Sequence, residues 1–415
     1  MKPELLAPAG DLQKLKFAFM YGADAVYMGG KILGMRAKSK NFDLDEMEEG
    51  IKYAKSLGKR VYVTANIFAH NADFDGMEEY FLSLQQIGAD ALIISDLGVL
   101  RLAKKTVPEM EIHISTQANC TNINAARFWK DMGAGRVILA RELSLKEISE
   151  INVPGLDIET FIHGAMCMAY SGRCLISNYL SERDANRGEC SQPCRWNYSV
   201  VEEKSGELLN VFESDNGAYI FSSKDLCMIN HIDDLVKSGV KSFKIEGRMK
   251  TEYYVAVATK IYREAIDDYF ASIELYKSKL DYYNKELSRV SQREYTTGFY
   301  FGKVEAKDHA YSLDDDLRTQ DFLGIVLDFD SSLGLATVEQ RNKFSCGDTI
   351  EIISPKNETF SQEVTLLFNS MGEAVSSAPH PKEVLKLKMD LPVKKYDIIR
   401  KGGLYENLQK LHQPL

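Results

Sequence analysis

The chain of 415 residues has no run of 18 apolar residues, which removes the transmembrane-helix reading. Its first residues, MKPELLAPAGDLQ, lack a basic segment followed by an apolar one, so no secretory leader is expected. The cytoplasm is then the expected compartment, and thiols there stay reduced. No G-x-G-x-x-G follows a strand-like run, which argues against a dinucleotide-binding open sheet. No HExxH pattern and no serine–histidine–aspartate arrangement stands out, so the common hydrolytic signatures are missing. Positive charge is also short: 51 lysines and arginines face 60 acids, a net charge of −9. The protein as a whole is therefore no polyanion-binding surface. A local basic face is still allowed, because salt confines each charge's reach to about 10 Å.

A repeat runs through the first 250 residues. YGADAVYMGG (21–30), IGADALIISD (87–96), DMGAGRVILA (131–140) and KSGVKSFKIEG (237–247) share one grammar. In each, a helix closes on glycine and an apolar strand starts two or three residues later. The strands of this kind are ELLAPAG, AVYMGG, RVYVTAN, ALIISD, IHISTQ, VILARE, ETFIHG and FKIEG, eight in all. Amphipathic stretches such as LDEMEEGIKYAKSL separate them. This α/β alternation predicts a (β/α)8 TIM-like barrel over residues 1–271, with a long insertion (164–235) after strand 7. A doubly wound open sheet is the competing architecture.

Active sites of such barrels gather at the carboxyl ends of the strands. Those ends carry Asn66, Asp96, Gln117, Arg141, Glu142, His163, Glu246 and Arg248. His163, Glu246 and Gln117 are the candidates for chemistry. Asn66, Arg141, Arg173, Lys244 and Arg248 are the candidates for holding substrate. Strand alternation places Lys244 and Glu246 on one face, toward the barrel mouth. Each of these residues read alone is equally a cap, a loop residue or a salt-bridge partner.

Cys167, Cys174, Cys190 and Cys194 fall within 28 residues of the insertion, in the pattern C-x6-C-x15-C-x3-C. In a reducing compartment such a group reads as metal-binding or catalytic before it reads as disulfides. Zinc sites usually pair two C-x2-4-C knuckles, and only Cys190 and Cys194 come close to that spacing. An iron–sulfur cluster tolerates wider spacing. Zinc, a cysteine nucleophile paired with His163, and ordinary buried thiols all remain open. Cys120, Cys227 and Cys346 stand alone, as small buried hydrophobes usually do.

ETFIHGAMCMAYSGRCLIS (159–177) resembles the signature of the U-32 peptidase family, and ELLAPAG, GADAVYMGG, KIEGRMK and TTGFYFG extend the likeness along the chain. The pairing of MCMAYSGRC with GECSQPCRW is most similar to the family's tRNA-hydroxylation branch. That resemblance implies oxygen-independent, prephenate-dependent formation of 5-hydroxyuridine at the tRNA wobble position. It also implies a 4Fe-4S cluster, carried over residue by residue to Cys167, Cys174, Cys190 and Cys194 as ligands. In some ubiquinone-branch relatives the last ligand lies further on, near FSSKDL, where this chain has Ser222 and Ser223. A collagenase-like protease, and a non-catalytic RNA-binding protein with a structural metal, are the rival readings.

For the expected partner, a tRNA anticodon loop, the insertion offers Arg173, Arg183, Arg187 and Arg195 beside Trp196 and Tyr198. Cations attract phosphates and aromatic rings stack on unpaired bases. The acids Glu182, Asp184 and Glu189 stand ready to pair with the same arginines. Prephenate carries two carboxylates, which suit the planar fork of Arg248, Arg141 or Arg173. Residues 272–320 read as a polar connector. From 321 to 402, GIVLDFD, LATVEQ, DTIEIISP, VLKLKMD and YDIIRK alternate as short strands of a small all-β barrel. Lys382, Lys386, Lys388, Lys394, Lys395, Arg400 and Lys401 give it a second basic stretch, and 403–415 reads as a tail.

Overall fold

The computed structural model describes residues 2–31, 41–167, 169–170, 173–187, 189–196, 200–201, 208–209, 224–291, 293–302 and 322–402. Eight strands form the first unit: β1 (Glu4–Pro8), β2 (Ala25–Gly29), β3 (Arg60–Ala65), β4 (Ala91–Ile94), β5 (Glu111–Ile114), β6 (Arg136–Ile138), β7 (Asp157–Gly164) and β8 (Ser242–Ile245). Each pairs in parallel with the next, and β8 returns to β1 in the register Glu4↔Ser242. The sheet is therefore a closed (β/α)8 barrel, with all eight expected strands in place.

Helices α1 (Leu12–Met20), α2 (Leu44–Ser56), α3 (Met77–Ile87), α4 (Leu97–Thr106), α5 (Ile123–Asp131) and α6 (Leu145–Glu150) follow the first six strands. The first turns of five of them, all but α3, are closed by Asp11, by an Asp43–Glu46 capping box, and by Asp96, Asn122 and Ser144. These caps satisfy amides that have no partner inside the helix. At the other end Gly88 closes α3 with a φ of 85°, a left-handed turn that glycine enters without a Cβ clash. Strands β1 and β2 are buried throughout, since helices cover the outer face and side chains fill the inner one. No described helix is long and apolar enough to cross a membrane.

The insertion carries α7 (Ile176–Ser181), a short strand Asp225–Cys227 and α8 (Ile232–Lys237) before β8. After β8 comes α9 (Glu252–Ala271), which packs against α1 and β1. The first part of the expected connector folds as α10 (Ile273–Ser278) and α11 (Leu280–Ser288), both packed on α9. Its tyrosines explain why: Tyr276 and Tyr283 are buried, and their hydroxyls donate to Ile229 O at 2.7 Å and to Asp268 respectively.

Contacts divide the chain between Asp315 and Asp316. The second unit is an antiparallel all-β half-barrel built on β9 (Phe322–Asp330), β10 (Leu335–Gln340), β11 (Thr349–Ile353), β12 (Phe360–Glu363), β13 (Val384–Lys388) and β14 (Ile398–Lys401). Val326, Val338, Ile352, Leu385, Leu387 and Ile399 are among its core residues. Lys382, Lys386, Lys394, Lys395 and Lys401 are exposed, as expected of a basic stretch. Arg400 is not part of that surface. It stands opposite Glu351 across β14 and β11, is 2% exposed, and gives Nε and Nη2 to that carboxylate at 2.8 and 2.7 Å. The expected tail, 403–415, lies outside the described residues.

Candidate active site at the barrel mouth

The inside of the barrel is built in polar layers. In the lower one, Arg136 Nη1 donates to Glu4 at 2.5 Å and to Glu159 at 3.0 Å. Tyr62 Oη and Ser242 Oγ complete Glu4 at 2.7 and 3.1 Å. Lys244 Nζ donates to Glu159 at 2.9 Å and lies over the rings of Tyr27 and Phe161 at 4.4 and 5.4 Å. Burial alone would push the Glu159 carboxyl up, but Lys244 and Arg136 outweigh it and hold the group at about 2. Burial pulls Lys244 below the ordinary lysine range. Lys244 therefore sits in the barrel core, one layer below the mouth where the sequence suggested a substrate contact.

The upper layer follows by alternation along β3, where Tyr62, Thr64 and Asn66 share one face. Arg248 spans it: Nη1 donates to Thr64 Oγ1 at 3.3 Å and Nη2 to Asn41 Oδ1 at 2.8 Å. Gly29 makes room, since a Cβ there would come within 2.3 Å of Arg248 Nη2. Asn66 Nδ2 donates to Gln117 Oε1 at 2.6 Å, and Ser95 Oγ holds the Asn66 carbonyl at 2.9 Å. Gln117 rides on a single 3-10 turn, Thr116–Ala118, started by Ser115 and closed by Asn119 with a φ of 52°. Arg141 lays its guanidinium over Phe161, 3.9 Å from the ring centre, and donates to Ala165 O at 2.6 Å. Four of the expected residues, Asn66, Gln117, Arg141 and Arg248, thus stand at the carboxyl rim, and Asn66 and Gln117 touch there. Asn41, Thr64 and Ser115 join them unforeseen. Thr64 and Ser115 had a signal in the sequence, each two positions before a candidate, Asn66 or Gln117, in the strand-like runs RVYVTAN and IHISTQ.

His163 and Glu246 lie to one side. The Asp225–Cys227 strand pairs antiparallel with the end of β7, Cys227 opposite His163, and covers it. The imidazole is 1% exposed among the rings of Tyr254, Tyr262 and Tyr295, whose centres are 5.8, 5.4 and 5.3 Å away. Burial, helped by the nearby Lys250 charge, lowers its pKa to about 3, so the ring is neutral at physiological pH. Glu246 is 6% exposed, and its backbone accepts from Tyr254 Oη at 2.8 Å.

All seven cysteines are free thiols. Cys120 and Cys227 are buried, which pushes both up to about 11. Cys167, Cys174, Cys190 and Cys194 are instead exposed or half-buried. The segments that carry the last three are stitched together: Ser191 Oγ meets Ser177 Oγ at 3.1 Å and Ser181 Oγ at 2.6 Å, and α7 packs on the turn Pro193–Arg195. The Gln192 amide donates to Cys190 Sγ at 3.4 Å. As donors, four thiols outside any disulfide suit an iron–sulfur cluster. Among the described residues, however, no three histidine, cysteine or acidic side chains stand together as a finished metal cage.

Around these thiols the insertion exposes Tyr170, Tyr179 and Trp196. The exposed Arg173 lies near Phe68, 6.0 Å from its ring centre, and Arg183 is half-buried. The Arg187 and Arg195 side chains, Tyr198, Ser222 and Ser223 lie outside the described residues.

Comparison with known proteins agrees with this architecture. Peptidase family U32 matches residues 10–310, and the Peptidase family U32 C-terminal domain matches residues 318–400. The chain is 39% identical over 402 residues to tRNA hydroxylation protein P1 of Bacillus subtilis (strain 168), covering 97% of this chain and 95% of that one. It is 40% identical over 425 residues to tRNA hydroxylation protein P of Escherichia coli (strain K12), covering 91% and 92%. Collagenase of Porphyromonas gingivalis is 32% identical over 376 residues, with 87% and 89% covered. By both its barrel and its C-terminal unit, the chain belongs to peptidase family U32.

Proposed function

We propose that the chain is a tRNA-modifying enzyme of the cytoplasm that forms 5-hydroxyuridine at the wobble position of the anticodon loop, with a hydroxyl donor derived from prephenate. The observation that carries this reading is the identity of about two residues in five, along nearly the whole chain, to two proteins named for tRNA hydroxylation. The geometry is in keeping with it. The barrel mouth presents two guanidinium groups, Arg141 and Arg248, and several amides, a surface suited to a dicarboxylate and a base. Exposed Tyr170, Tyr179 and Trp196 with Arg173 offer stacking surfaces and charge to a single-stranded loop. Replacing C5–H by C5–OH is a two-electron oxidation of the base, so the donor is reduced as it gives up its oxygen.

A 4Fe-4S cluster would be held by Cys167, Cys174, Cys190 and Cys194. When bound, it supplies an electron-transfer centre or a Lewis-acidic iron at the rim. The chain's own residues position the reactants: Arg248 and Arg141 hold carboxylates, and the closed lower layer keeps water from entering below. Nucleoside mass spectrometry of tRNA from cells lacking the gene tests the reading, with loss of 5-hydroxyuridine expected. Likeness to a collagenase favours one rival, proteolysis. Gelatin cleavage that survives both purification to homogeneity and Cys174→Ser would support it.

A further inference from the structure

Asn66 follows β3 and Gln117 follows β5, with β4 between them. Side chains from strands two apart meet only across the inner rim of a barrel. Their one shared hydrogen bond, 2.6 Å long, uses a donor of Asn66 and an acceptor of Gln117. Asn66 Oδ1 and Gln117 Nε2 are left buried with no hydrogen-bond partner. Gln117 is 3% exposed, so its amide is closed off from bulk solvent. Asn119 Oδ1 is in the same state next door, although its Nδ2 donates to Gln117 O at 2.9 Å. In the layer below, the carboxylates of Glu4 and Glu159 each accept from two or more donors, and Arg136 Nε is the atom there left without a partner among the described residues of that ion-pair group. Buried polar groups are normally paired, and a site that leaves an acceptor and a donor together is prepared for a ligand.

Exchanging oxygen and nitrogen in both amides keeps the shared bond and again leaves one donor and one acceptor. The conclusion is therefore independent of how the amides are assigned.

We infer that the Asn66–Gln117 pair binds the hydrogen-bonding edge of the target base. This rests on the tRNA reading above and goes beyond it by naming the residues that read the base. Uracil presents N3–H beside a carbonyl oxygen, the complement of an acceptor beside a donor. Cytosine presents the same two roles exchanged, which the flipped pair accommodates equally. The pair thus holds a pyrimidine edge without separating uracil from cytosine, and that choice falls to other contacts.

The test uses the full-length protein, purified anaerobically, and an anticodon stem–loop hairpin RNA bearing uridine, 3-methyluridine or an abasic site at the wobble position. The methyl group removes N3–H and blocks the edge, so wild-type binding should weaken roughly tenfold, the effect of one lost buried hydrogen bond. Gln117→Glu keeps the acceptor for Asn66 but deletes the unpartnered donor, and Asn66→Ala deletes the unpartnered acceptor. Both variants should bind the uridine hairpin about as weakly as wild type binds the methylated one, with little further loss on methylation. Wild-type binding indifferent to methylation and to base removal would overturn the inference and leave the tRNA reading standing. So would an undiminished methylation effect in both variants. A wild-type protein that does not bind the hairpin at all would overturn the tRNA reading and this inference with it.

Discussion

Glu159 shows what a single residue costs and returns in this barrel. It is 0% exposed and ionised only because Lys244 and Arg136 face it at 2.9 and 3.0 Å. Removing one partner of a buried ion pair strands the other charge, so Lys244→Met should lower stability by about 3–5 kcal/mol. Adding Glu159→Gln should recover part of that loss. Denaturant midpoints measure both, and a Lys244→Met protein as stable as wild type would contradict the pairing. The pH dependence follows from two groups. The His163 pKa of about 3 lies below its unfolded value, so the unfolded chain takes up a proton first. Stability should therefore fall as pH drops from about 6.5 toward 3. Glu159, held at about 2, adds stability above its unfolded value that is lost only as pH falls from about 4.3 toward 2. His163→Phe should flatten the slope between pH 6.5 and 4.5, leaving the share of His113, which burial also lowers. An unchanged slope would show that His163 is accessible to protons in the fold. Alternation in the sequence predicted a common face for Lys244 and Glu246, whereas the pairing of β8 with β7 shifts register between Lys244 and Ile245. Alternation could not give depth, because Glu159 lies 85 residues earlier and bears no local mark as the partner of Lys244.

At the level of elements, the strands were the most legible part. Each buried run is short and apolar, and β2, β4, β6 and β8 each follow a helix that ends at or beside a glycine, Gly22, Gly88, Gly133 or Gly239. The two helices at 273–288 were hidden because each buries one tyrosine, Tyr276 or Tyr283, amid many charges, a pattern that reads as polar until the rest of the fold is there to receive the rings. The seat of Arg248 was half legible: the arginine was visible at a strand end, but the clearance provided by Gly29, more than 200 residues earlier, was not. Gly29→Ala should displace that guanidinium and cut the 5-hydroxyuridine content of tRNA at least about tenfold, while the circular dichroism of the fold is kept. Full modification by this variant would show that the seat is not needed. In the insertion, Cys174→Ser should abolish the brown colour and most of the roughly four irons expected per chain after anaerobic purification. Cys346→Ser, in the C-terminal unit, should keep both. A colourless protein containing zinc would contradict the cluster assignment.

Across the whole molecule, the proposed activity depends on bringing three things to one rim: guanidinium groups, paired amides and a run of thiols outside any disulfide. The barrel does this because every strand ends on the same side, so residues far apart in sequence converge there without any motif to announce them. That is why family resemblance pointed to the proposed substrate class more directly than any residue did, while the order of the layers had to come from the fold. The most direct measurement is nucleoside mass spectrometry of tRNA from a strain lacking this gene and its paralogues, complemented with wild type or with Cys174→Ser. The account predicts that wobble 5-hydroxyuridine disappears in the deletion, returns with wild type and does not return with the cysteine variant. Unchanged 5-hydroxyuridine in the deletion strain would contradict it.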